Sequence, residues 1–74
     1  MHRKTQQALK LLKRRPMAFN DMINALRLSR KAEEEVASDF RKLEAQGIVT
    51  GYLGQRGGMF STIYELTPKG RKML

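Results

Sequence analysis

The residues best suited to chemistry lie in one stretch, Ser29 to Gly47. There Arg30, Lys31, Glu34, Ser38, Arg41 and Lys42 recur opposite the apolar trio Val36, Phe40 and Leu43. At about 100° per residue the trio forms a narrow stripe, so the stretch reads as a helix with one face to bury. Its other face turns cations and hydrogen-bonding groups outward. The whole chain has the same bias: 15 Lys and Arg against 7 Asp and Glu give a net charge of +8 on 74 residues. Such a field attracts polyanions through steering and counterion release. Catalytic chemistry is poorly served. The one histidine, His2, lies at a terminus expected to fray, and the chain has no cysteine. Asp21 and the Glu33–Glu35 run have sufficient explanation as helix-terminal charges. GQRGG (54–58) lacks the lysine and Ser/Thr of a phosphate loop. The chain therefore reads as a non-enzyme with no metal or cofactor.

The elements that position these residues follow in order. Thr5 to Arg15 reads as a first helix, with Ala8, Leu9, Leu11 and Leu12 inward and Pro16 as its stop. Met17 to Phe19 is a short extended piece. Asn20 is the expected N-cap of a second helix carrying Met22, Ile23, Ala25 and Leu26, and Ser29 caps the third. Two capped helices with almost no linker are the sequence form of a helix-turn-helix. Beyond Gly47 the period changes to that of strands, in IVTGYL (48–53) and MFSTIYEL (59–66), with Gly54–Gly58 as turn chemistry. In the second strand Phe60, Thr62, Tyr64 and Leu66 share one face. Thr67 caps a last turn or helix opened by Pro68, from which Met73 and Leu74 are expected to pack back onto the core.

In this order of elements, the chain resembles the winged helix-turn-helix DNA-binding domains of bacterial and archaeal transcription regulators. Leu43, Glu44, Gly47, Ile48 and Val49 match the Leu-Glu-x-x-Gly-hydrophobic-Val signature that closes the third helix in that family. Tyr64, Leu66, Thr67, Pro68, Lys69 and Gly70 match its aromatic-x-Leu-Thr-x-x-Gly run after the wing. The resemblance covers the chain from about Thr5 onward. It implies an α+β fold: three helices, a two-stranded wing with a short third strand, and a short C-terminal helix or turn, as one domain over 1–74. It also implies that the third helix enters the major groove while the wing touches backbone or minor groove. Carried over by residue, the expected DNA-binding set is Arg30, Lys31, Ser38, Arg41 and Lys42 on the helix, and Gln55 and Arg56 at the wing tip. Arg41 is placed to pair with guanine, the lysines to meet phosphates, and Arg56 to meet a narrow minor groove.

The expected function is thus double-stranded DNA binding by a small transcription regulator. The alternative is a winged-helix protein–protein assembly module, with the acidic patch Glu33–Glu35 as its contact surface. Of those three only Glu34 points fully outward, and Arg30 and Lys31 are spaced to pair with Glu34 and Glu35. An RNA module is disfavoured, since Tyr52, Phe60 and Tyr64 read as core or hairpin residues rather than a stacking set. A homodimer or a protein partner is compatible with the sequence, and no small-molecule effector site is evident. No apolar run reaches the ~18 residues of a membrane span, so the cytoplasm, with nucleoid association, is the expected location.

Overall fold

The computed structural model describes residues 1–74 apart from the side chain of Arg56. Its elements are α1 (Arg3–Leu12), β1 (Met17–Ala18), α2 (Phe19–Leu26), α3 (Arg30–Ala45), β2 (Val49–Arg56), β3 (Met59–Leu66) and α4 (Pro68–Met73). The strands form an antiparallel sheet in the order β1-β3-β2, with Met17 opposite Tyr64 and Val49 opposite Leu66. Helices and sheet close on a core of Ala8, Leu9, Leu12, Met22, Val36, Phe40, Leu43, Ile48, Val49, Tyr64 and Leu66. All three members of the α3 stripe are buried, as their spacing requires.

Two sequence signatures turn out to bind each other. Gly47 takes a positive φ of 76°, and the Ile48 N–H returns to the Leu43 carbonyl at 2.9 Å, which ends α3 and releases the chain into β2. The Thr67 hydroxyl reaches the carbonyls of Gly47 and Ile48 and accepts from the Gly70 N–H at 3.0 Å. A Cβ at Gly70 would collide with the Ile48 carbonyl, so only glycine lets α4 sit this close to the end of α3. The chain is thereby locked on both sides of the hairpin.

Several element boundaries differ from expectation. α1 starts at Arg3 and ends at Leu12 instead of running from Thr5 to Arg15. Its N-cap is His2, whose Nδ1 accepts from the Lys4 N–H at 3.0 Å, so the terminus is held rather than frayed. Its last buried residue is Leu12, and Lys13–Arg15 lead out to Pro16 with no apolar side chain to hold them in helix. α2 begins at Phe19 after Ala18, without a side-chain cap, and Asn20 lies inside the first turn. The Phe19 ring sets this boundary by packing edge-on to Phe40 and Tyr64, at centroid distances of 6.4 and 6.2 Å. Met73 and Leu74 are exposed and do not complete the core.

α1 is clamped to α3 through Asp39. Its Oδ2 accepts from the His2 N–H at 2.8 Å and from the hydroxyl of fully buried Thr5 at 2.7 Å. Burial acts to raise this carboxyl, but the two hydrogen bonds, the N-terminal charge and Lys42 together hold it below its ordinary 3.8. A lowered carboxyl stabilises the fold fully above its unfolded value and loses that contribution as pH falls through the lower folded value. Asp39→Asn should therefore lower the melting temperature at neutral pH and flatten its fall below about pH 4. Parallel acid limbs in the two proteins would show that the clamp is not ionic.

Candidate nucleic-acid interface

α3 is positioned by its buried stripe, and that fixes what it turns outward. Arg30, Lys31, Arg41 and Lys42 are exposed and Ser38 is half-buried. None of the four cationic side chains makes a hydrogen bond or ion pair with a described residue. The anticipated pairs Arg30–Glu34 and Lys31–Glu35 do not form. Glu35 instead meets the His2 ring, Oε2 to Nε2 at 3.2 Å, and Asp39 is committed to Thr5 and His2. The acids on that flank of α3 are thus turned toward α1, while Glu34 is the one glutamate of its run on the outermost line. Two cations elsewhere are structural. Lys69 donates to the Gln46 carbonyl at 2.8 Å, at the end of α3, and Arg71 to the Lys13 carbonyl at 3.4 Å, just past α1. Both sit where the helix dipole favours a cation.

The wing is longer than the sequence implies. β2 runs on through Gly54 and Gln55 to Arg56, which pairs with Met59, so the turn shrinks from Gly54–Gly58 to Gly57 and Gly58. Both turn glycines have positive φ, 60° and 81°, as a two-residue hairpin turn of mirror type requires. Gly54 serves the strand instead. A Cβ there would run into the Ile63 side chain, which folds across the vacant position. Gln55 is exposed on the ribbon opposite Phe60. The side chain of Arg56 lies outside the described residues.

Between α3 and the wing lies an open cleft of about 340 Å³, lined by Phe19, Asn20, Ala37, Phe60, Ser61, Thr62 and Tyr64. Ala37 is on the same flank of α3 as Arg30 and Arg41, by helical spacing. The Tyr64 phenol at the cleft floor is raised above its ordinary value by burial and by Glu44, with Arg41 acting in the opposite sense. Arg41 is thus electrostatically close to the root of the wing. None of the seven lining residues belongs to the set expected from the sequence. Phe60 and Thr62 share the face of buried Tyr64, but they are exposed because β1 pairs only with Tyr64 and Ile63 and the ribbon outruns the core. The two-residue length of β1 is the signal that marks where the core stops.

The cleft and the outer face of α3 suit a rod-like anion: cations in two rows, Arg30 with Arg41 and Lys31 with Lys42, small polar side chains beside them, and a projecting ribbon. Among the described residues, no group of three or more His, Asp or Glu side chains is arranged to hold a metal ion. No described helix is long and apolar enough to cross a membrane.

No protein-family model matches the chain, and comparison with curated proteins by sequence gives no match. Solved structures do match. The adhesin competence repressor AdcR from Streptococcus pyogenes superposes with a TM-score of 0.75 at 20% identity, over 99% of this chain and 52% of that one. The reduced form of the transcriptional regulator YodB from B. subtilis gives 0.76 at 21% identity, over 97% of this chain and 68% of that one. The chain spans about half the length of the AdcR chain. At these identities the likeness establishes the fold, an α+β winged helix-turn-helix.

Proposed function

We propose that this winged helix-turn-helix chain binds double-stranded DNA as a small transcription regulator, with α3 in the major groove and the wing along the adjoining minor groove. One observation carries the reading. α3 presents Arg30, Lys31, Arg41 and Lys42 outward with no hydrogen bond or ion pair to a described residue, while its own Glu35 and Asp39 are engaged by His2 and Thr5. Exposed cations free of ion pairs are what phosphate neutralisation needs. The two structural neighbours, a repressor and a transcriptional regulator, agree with this class.

In this reading Arg41, beside the cleft, takes the bidentate contact to guanine, and Ser38 hydrogen-bonds to a base edge or phosphate. Arg30, Lys31 and Lys42 hold the backbone, and Gln55 with Arg56 contacts the groove edge from the wing. Glu34 is placed to accept from the N4 amino group of cytosine. Residues 1–74 act as one domain, in the cytoplasm and associated with the nucleoid, and the chain is not an enzyme.

Separate substitutions test the roles. Lys42→Ala should weaken binding to every duplex alike, whereas Arg41→Ala should change the preference at one base pair by about 1–3 kcal/mol. A binding-site selection with each variant reads this directly. Equal, sequence-independent losses would remove base readout by Arg41 and leave an architectural DNA binder.

A further inference from the structure

The wing carries more apolar surface than hairpin stability explains. Leu53 is 73% exposed, Phe60 69%, Met59 65% and Tyr52 47%. They occupy both faces of the ribbon. Leu53, opposite Thr62, and Phe60, opposite Gln55, continue the face of Tyr64. Tyr52, opposite Ile63, and Met59, opposite Arg56, lie on the other. A flat protein partner would cover one face only, whereas a slot covers both. From Thr50 to Tyr64 there is no Asp or Glu, and the end of the ribbon is the bare Gly57–Gly58 turn.

We propose that the wing tip is a minor-groove wedge: Met59 and Phe60 enter the minor groove next to the segment docked on α3, part a base step and bend the duplex. The proposal rests on the DNA-binding reading above and assigns the wing a task beyond charge contact. Dimensions support it. At about 3.3 Å per residue, Met59 and Phe60 lie within roughly 7 Å of Gly58, inside the ~7.5 Å depth of the groove. Leu53 and Tyr52, further back, would meet the deoxyribose walls at the rim. Two strands about 4.8 Å apart, with side chains on both faces, are wider than a groove of about 6 Å. Entry must therefore open the groove, and apolar side chains inserted at a step are the known means of holding it open. The absence of carboxylates from Thr50 to Tyr64 admits a polyanion, and apolar side chains on both faces match a groove rather than a flat protein surface.

The test uses the full chain and a duplex of about 24 base pairs, labelled at both ends for energy transfer, with 2-aminopurine in a central TA step, the cheapest kind to kink. Saturating protein should shorten the end-to-end distance and brighten the 2-aminopurine. The Met59→Ser/Phe60→Ser double variant should still bind, about tenfold more weakly, without either signal. Both residues lie beyond the core, and an unchanged melting temperature confirms that this variant is folded. Arg41→Ala should bind more weakly yet bend the duplex fully at saturation. Binding without bending, or equal bending by the double variant, overturns the wedge and leaves the DNA reading intact. No binding even at low salt overturns the DNA reading itself. Concentration-dependent dimerisation of the free protein, abolished in the double variant, would assign the patch to a second copy and also overturn the wedge.

Discussion

Phe40→Ala should lower the melting temperature by roughly 12–40 °C. Phe40 is fully buried on α3, stacks on Tyr64 at 4.7 Å between ring centroids, and receives the edge of Phe19 at 6.4 Å. Truncating a buried Phe costs about 3–5 kcal/mol through lost burial and the cavity left behind. A chain of 74 residues has only about 4–11 kcal/mol in total. The loss falls where α2, α3 and β3 meet, so no part of the core is insulated from it. Far-UV circular dichroism and a thermal melt read the outcome, with Phe40→Leu as the milder control that keeps most of the volume. A melting temperature for Phe40→Ala within a few degrees of wild type would show that the aromatic trio does not hold α3 in place. The functional consequence is direct, because the residues that bury α3 also fix the direction of Arg41 and Lys42.

What the sequence made legible was the part governed by local chemistry. The period of Val36, Phe40 and Leu43 placed α3, Ser29 capped it through a 3.2 Å bond to the Ala32 N–H, and Gly47 stopped it. The two end signatures correctly implied a winged helix-turn-helix. What was not legible depended on contacts made at a distance. Asn20 has the better capping side chain, but the Phe19 ring must reach Phe40 and Tyr64, and packing overrides the cap. His2 is not a usual capping residue, and its role depends on Asp39 and Glu35, thirty-odd positions away. Gly54 looks like turn chemistry and so implies a shorter wing, whereas its missing Cβ makes room for Ile63 inside a strand. The same limit applied to the candidate site. Composition counted the cations without separating Lys69 and Arg71, which satisfy helix-end carbonyls, from Arg30, Lys31, Arg41 and Lys42, which do not. Two acids of the Glu33–Glu35 run are also drawn off the outer face of α3, since Glu35 meets His2 and Glu33 is half-buried.

The second large effect is expected from salt. Binding through Arg30, Lys31, Lys42 and the wing would neutralise about four phosphates, which gives a slope near −3.6 for log affinity against log salt. Raising salt from about 50 to about 200 mM should then weaken binding roughly 150-fold, with the protein still folded. The loss would be shared by all duplexes, because displaced counterions carry no sequence information. Lys42→Ala should reduce the slope by about one unit, while Arg41→Ala should change it less if its contact is to a base. Fluorescence-anisotropy titration of the full chain into random-sequence duplex, repeated across that salt range, is the most direct measurement of the central claim. The account predicts clear binding at low salt that falls along a slope of about −3 to −4. No binding at low salt, or an affinity that salt leaves unchanged, would contradict it and move the function of α3 from DNA to a protein surface.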